Sequence, residues 1–255
     1  MIKLKNVTSM NGRLPDVRPY GEQIADVATL VESWDATTSR VTVSDGSVSA
    51  LVNGAGAITM TQNDAGKRAA MEADVITAAN GAMSPALKFD GSDHYLASVN
   101  PDFTSPFTLV ALVKPQPAIA ATQRIISRYG SAWEQTALRF EAGSVARFWH
   151  GTAVVDVDYS DHDGEWLLLV AACDGSYAKM SLNGAAPVVV ATDNATGTAT
   201  TVIGAVSNSG GEYFTGHLSR LHIHSGDLFA SDAGLQTLSL YASLAQRAYG
   251  IGVGT

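Results

Sequence analysis

The sequence predicts an all-β antiparallel sandwich closed by one short C-terminal helix. Three observations predict it. Short alternating apolar and polar runs recur from Val41 to His224, the two-residue period of a half-buried strand. Turn dipeptides break these runs at Asp45-Gly46, Asn53-Gly54, Asp90-Gly91 and Asn183-Gly184, where positive φ is needed. Helical spacing appears once, at Leu235, Leu238, Ala242, Ala245 and Tyr249. Ser231 or Asp232 can cap that segment, and Gly250 is placed to end it.

Residues 1–33 read differently, as an N-terminal arm around Gly12, Pro15, Pro19 and Gly21. Glu22 to Glu32 fits either a short helix or an extended segment, and so short a piece must pack on something else. Residues 34–255 form the predicted sandwich domain. Residues 64 to 82 carry both helix-favouring alanines and the strand-favouring Val75-Ile76-Thr77, and are read as a loop with a short strand. Strands then follow at Ala86–Phe89, His94–Ser98, Phe107–Lys114, Arg124–Tyr129, Thr136–Phe140, Val145–Trp149 and Ala153–Tyr159. Glu165–Cys173 is nearly all apolar, as a central strand is. Tyr177–Leu182, Val188–Ala191, Thr200–Ile203 and Phe214–His224 complete the set. Many short strands joined by turns mean a sandwich or barrel.

Composition excludes several classes. The net charge is −8 and no Lys/Arg run occurs, so no nucleic-acid partner is expected. No apolar stretch is long enough to span a bilayer, so no membrane insertion is expected. Nothing behind the early lysines resembles a signal peptide, and synthesis in the cytoplasm without export is the expectation. Cys173 is the one cysteine. It sits in an apolar run and reads as a small buried hydrophobe.

Three segments carry a resemblance. Pro85 to Leu96 contains Phe89-Asp90-Gly91 and looks like an opening strand pair. Asp163 to Gly175, with Trp166 early in it, is followed by Lys179 to Gly184, similar to a tryptophan strand and its hairpin. Val202 to Gly204, then Tyr213 to Ile223 and the helix, look like a penultimate strand and C-terminal run. In order and spacing these resemble the laminin-G-like, concanavalin-A-like jelly-roll family. The Trp34-Asp35-Ala36 opening is similar to versions in bacteriophage and prophage virion structural proteins. The resemblance implies two sheets packed face to face with Phe89, Phe107, Trp166 and Leu182 pointing inward. Trp34 is likewise assigned to the core.

Hydrolases that share the jelly roll usually show a Glu-x-Asp-x-Glu strand, and none occurs here, so no catalytic residue is assigned and the chain is expected not to be an enzyme. Asp156 and Asp158 share a strand face, and Asp161 and Asp163 follow in a turn. A solvated edge and turn account for them. Asp158, Asp161 and Asp163 are also weak Ca²⁺ candidates, because a hard cation suits dense oxygen ligands; no other cofactor is implied. His222 and His224 share one strand face, and are read as an outward polar face opposite Leu221 and Ile223. Tyr129, Trp133, Trp149, Tyr159 and Tyr213 fall in or near loops and strand ends, where rings can stack on sugar C–H faces; Trp149 and Tyr213 also fit inter-sheet packing.

The function read from this is a carbohydrate-binding or adhesion component of a phage or phage-like particle: a head decoration, head spike or tail fibre. Its expected partners are host surface polysaccharide and, through the arm, other particle proteins, with many copies displayed on the particle surface. The rivals are a purely structural cementing protein, a glycan hydrolase or lyase, and an exported adhesin.

Overall fold

The computed structural model describes residues 23–24, 27–36, 40–55, 58–77, 83–99, 105–130, 134–193, 200–207 and 211–252. The strands are β1 (Leu30–Asp35), β2 (Val41–Ser44), β3 (Ser47–Val52), β4 (Thr59–Thr61), β5 (Ala70–Thr77), β6 (Met83–Asp90), β7 (Leu96–Val99), β8 (Phe107–Pro115) and β9 (Gln123–Tyr129). They continue with β10 (Glu134–Glu141), β11 (Val145–His150), β12 (Ala153–Asp158), β13 (Leu167–Cys173), β14 (Tyr177–Leu182), β15 (Val188–Ala191), β16 (Thr200–Ile203) and β17 (Thr215–Ser225). Helix α1 is Asp232–Tyr249.

All pairings are antiparallel, and they fold into two facing layers. The first runs β15–β14–β13–β8–β17. Beyond β17 the edge is shared, β6 pairing with its first half and β1 with its second. The second layer runs β2–β3–β4–β7–β16–β9–β10–β11–β12.

Register shows why the central strands are apolar throughout. Ile223, Leu109, Ala171 and Met180 stand side by side in one row of the first layer and face the seam between the layers. The adjacent row is His222, Val110, Val170 and Ser181. That row faces the opposite way, where Val110 and Val170 pack with Tyr241, Leu244 and Ala245 of α1. Strands β8 and β13 are thus buried on both faces, which an alternating pattern cannot satisfy. The seam is lined by Phe89, Phe107, Phe140, Phe148 and Phe214, each no more than 1% exposed.

Several expectations are met in place. Ser231 Oγ accepts from Gly234 N at 3.1 Å, and Gly250 ends α1 at φ 68°. Asn183 and Gly184 turn the β14–β15 hairpin with φ of 49° and 77°. Trp34 and Phe89 are in the seam and Cys173 is buried.

Others are corrected. Residues 64–82 are less irregular than expected, since β5 alone is eight residues long and pairs with β6. Asn53-Gly54 is no tight turn; the Asn53 carboxamide instead accepts from Ser33 N at 2.8 Å and Ala55 N at 2.9 Å. Trp166 does not enter the seam. It keeps the parity of Leu168 and Val170, and packs on the helix side, 5.3 Å from the Tyr249 ring. Leu182 is only partly buried against the seam. His222 and His224 do oppose Leu221 and Ile223, but α1 covers them, so they are buried rather than outward. The buried stripe of α1 is Gly234, Thr237, Tyr241, Leu244 and Ala245, while Leu235 is exposed. Of the arm, Ile24 is buried on the helix side and the last residues enter β1.

Candidate functional site

Each layer has a free edge on the same flank. Among the described pairings β12 bonds only to β11, and β15 only to β14. The two edges pack on each other. Where they diverge lies an open groove of about 530 Å³, lined among others by Asp156, Asp158, His162, Leu182, Asn183 and Val188.

The groove mixes polar and apolar atoms for a structural reason. Strand β12 alternates, sending Val155 and Val157 towards the seam and Asp156 and Asp158 outward. Arg147 on the neighbouring β11 donates to both Asp156 oxygens, at 2.7 and 2.8 Å. This bidentate pair holds the Asp156 carboxyl below its ordinary range. The Ser160 backbone N–H, 2.7 Å from Asp158 Oδ1, lowers the Asp158 carboxyl as well. Both are ionised at neutral pH. On the far wall Asn183 is only 5% exposed. Its Oδ1 accepts from Leu168 N at 2.9 Å, and its Nδ2 has no partner among the described residues. Beside the groove Val188 and Val189 are 44% and 50% exposed.

The expected sugar-stacking aromatics divide between the two ends of the sandwich. Tyr129 and Trp149 share the outer face of the second layer near one end, by the register Tyr129–Glu134 and Trp149–Ala137–Ser127. Tyr129 is 39% exposed. The Arg139 guanidinium lies 4.8 Å from the Trp149 ring centre, and the indole N–H donates to Gly151 O at 2.8 Å. Tyr213 is at the opposite end, beside the seam residue Phe214. Tyr159 is also there, but it is 1% exposed and edge-on to Phe140 at 5.1 Å. Its ring belongs to the core, and burial raises its phenol to about 12. Trp133 lies outside the described residues.

The Ca²⁺ candidates do not converge. Asp158 caps its own turn, and Asp163 Oδ2 accepts from Ala118 N at 2.9 Å. Among the described residues the acid–imidazole group whose ligand atoms lie within 4.8 Å of one another is Asp90, Asp93 and His94. There Asp90 already accepts from Ser92 N at 2.9 Å.

A buried Ser–His contact, which no sequence spacing marks, sits at the Tyr129 end. His150 Nε2 is 3.4 Å from Ser105 Oγ, and Nδ1 is 2.9 Å from Thr136 Oγ1. Burial, then the nearby Arg128, pushes His150 down to about 4. At 1% exposure it is a neutral structural group.

Residues 90–233, more than half of the chain, match a laminin-G-type family model described as the concanavalin A-like lectin/glucanases superfamily. The chain belongs to that superfamily. Comparison with curated proteins finds no match. Among solved structures, this concanavalin A-like domain is similar to a Trypanosoma rangeli sialidase in complex with sialic acid (TM-score 0.58, 13% identity), covering 85% of this chain and 33% of that one. It is also similar to the binding domain of botulinum neurotoxin serotype D/C (TM-score 0.53, 11% identity, 85% and 53% covered). The receptor-binding domain of botulinum neurotoxin type G is a further match (TM-score 0.53, 12% identity, 83% and 51% covered). The domain thus spans a third to about half of these chains, and at such identities the likeness is one of fold.

One expectation is overturned here. The missing Glu-x-Asp-x-Glu strand does not exclude an enzyme, since the solved chains that contain this fold include a sialidase. The fold therefore occurs within enzymes as well as binding domains, and a missing motif rules out one catalytic arrangement rather than catalysis. No described helix is long and apolar enough to cross a membrane.

Proposed function

We propose that this concanavalin A-like domain binds carbohydrate along the β12/β15 flank, and that it does so as a multi-copy surface component of a phage or phage-like particle. The groove carries the first part. Asp158 offers ionised oxygens to sugar hydroxyls, Leu182 and Val188 offer apolar surface to sugar C–H faces, and Asn183 supplies a polar wall. Tyr129 and Trp149 extend the surface available to a longer glycan. A single such site near millimolar affinity is worth about 4 kcal/mol, and repetition on a particle multiplies avidity by about 10²–10⁴. Residues 1–33 are the segment proposed to dock the domain to its particle, through the part that precedes Ile24, because Ile24 and β1 pack on the domain itself.

The test is retention of multimerised domain on host polysaccharide and on a glycan array. Asp158→Asn is expected to lower retention at least tenfold while melting normally. No retention on any glycan removes the binding claim, and absence of the chain from purified particles removes the particle claim. The sialidase likeness favours a second reading, bond cleavage. Release of reducing ends in the same incubations tests it.

A further inference from the structure

Between α1 and the first layer lies a polar cluster that glycan binding does not use. His222 and His224 stand on the helix-facing side of β17, 2% and 0% exposed. Both reach one hydroxyl: Tyr241 Oη is 2.6 Å from His222 Nδ1 and 2.7 Å from His224 Nε2. Each imidazole lies edge-on to the tyrosine ring, at 5.4 and 5.7 Å between centres. His224 Nδ1 is 3.1 Å from Thr29 Oγ1. His222 Nε2 has no partner among the described residues.

A hydroxyl has one proton, so Tyr241 donates to one imidazole and accepts from the other's N–H. Two neutral rings satisfy this. A proton added to His224 is not accommodated: its Nε2–H then donates to Tyr241, whose own proton must go to His222 Nδ1, and the Nε2–H of His222 is left buried without a partner among the described residues. A second proton, on His222, is worse. Its Nδ1–H would face a hydroxyl whose own proton has lost its acceptor, and its Nε2–H would be a buried charged donor with no partner.

The surroundings add no relief. Across the layer, β8 places Val110 and Thr108 opposite the two histidines, and β1 places Ser33 and Leu30 there. The charged group on β17 itself is Arg220, which pairs with Asp35 of β1 at 2.8 Å. From α1 come Tyr241 and Tyr249, the latter 2.7 Å from Ser219 Oγ and 3.3 Å from Arg220 Nε. Burial first, then the positive charges of Arg220, His224 and Arg40, hold His222 well below its ordinary range; burial takes His224 to about 4.

We propose that this cluster is an acid-operated latch: in mildly acidic medium, protonation of His222 and His224 releases α1 from the sheet while the sandwich stays folded. The helix layer and the seam are separate apolar clusters, so one can open without the other. Release would uncover Val110, Leu112, Leu168 and Val170. Two protons taken up on release make the released-to-docked ratio rise about 100-fold per pH unit below the ordinary histidine range.

The experiment is hydrogen exchange of the whole chain by mass spectrometry between pH 7.5 and 4.5, corrected for intrinsic rates. Amides of α1 are expected to lose protection at about 100-fold per unit and to exchange freely at a pH where those of β10 to β12 are still protected. The double variant His222→Gln, His224→Gln, which keeps donors and acceptors but cannot titrate, is expected to hold α1 protected throughout. Release that persists in the double variant overturns the latch, as does loss of α1 and sandwich protection together in the natural chain. Should the double variant fail to fold, the Cε1–H signals of the two imidazoles in the natural chain decide. They must titrate at the midpoint of helix release, and titration elsewhere overturns the proposal.

Discussion

Strands β8, β13 and β17 bury both faces, but they bury different chemistry on each. The seam side is filled by phenylalanines and aliphatics that make ring contacts such as Phe107–Phe148 at 6.3 Å and Phe89–Phe214 at 5.7 Å. The helix side interleaves Val110, Leu112, Leu168 and Val170 with Arg220, Asp35, His222, His224, Tyr241 and Tyr249. Apolar contacts are non-directional and survive small shifts. A buried polar layer holds only while each donor and acceptor keeps its partner. One side of the same sheet is therefore a general glue, and the other a specific fit that charge can undo.

The largest expected effect strikes the glue. Phe107→Ala removes a ring packed against Phe148 and His150 and is expected to cost about 3–5 kcal/mol, read by urea unfolding. A loss under 1 kcal/mol would mean that the seam is not the principal core.

Acid comes next, because it acts through histidines on both sides. His150 and His224 are held at about 4 and His222 well below its ordinary value. Their folded values lie below the unfolded value, so the unfolded chain binds these protons first. The stability they contribute is present above about pH 6.5 and is lost as pH falls towards 4. Glu32 opposes them: burial raises it to about 7, so its contribution is present below about pH 4.5 and is lost as pH rises. Between about pH 4.5 and 6.5 three protons favour unfolding and one favours folding. Global stability should then fall on acidification across that window, the three imidazoles outweighing Glu32. Flat stability across that window would show that these imidazoles are hydrated.

Third is the ion pair of the helix side. Asp35→Asn leaves the largely buried Arg220 guanidinium without its carboxylate and is expected to cost about 2 kcal/mol. The loss should appear first in exchange of α1 if the helix layer opens by itself, and equally everywhere if the domain unfolds as one unit.

How much of this the sequence revealed follows the same division. Two-residue alternation, apolar runs and Gly-containing turns mark β6 and nearly every strand from β8 to β17, because a strand with one buried face carries its period in plain composition and one with two buried faces is apolar throughout. Along α1 the spacing holds for Ala245, which is buried, and for Leu238, Ala242 and Tyr249, which pack against the helix-side core, but Leu235 is exposed, whereas Gly234 and Thr237 are buried. A Cβ on Gly234 would lie 2.2 Å from Leu228 O, a close approach that no apolar periodicity can show. Trp166 was sent to the wrong face because the family likeness fixes its strand but not its parity. Of the groove, only the acids Asp156 and Asp158 were legible, as two outward positions on one strand. Asn183 looked like a turn residue, and His162 like nothing in particular. Their meeting depends on two strand edges that lie about thirty residues apart in the chain, and register of that kind is set by the whole sheet.

The smallest predicted effect sharpens the comparison most. Ser231 has extended backbone angles and its hydroxyl accepts from Gly234 N, with Asp232 adding an acid to the first turn. Ser231→Ala removes one cap and should cost about 1 kcal/mol, with Ser231→Asp restoring it. If α1 is tied rigidly to the seam, that cost appears in global unfolding as a fall of about 2–4 °C in Tm. If the polar layer is the weaker joint, Tm barely moves and the cost appears as roughly fivefold faster exchange confined to α1, because the helix then opens along its own boundary before the sandwich does.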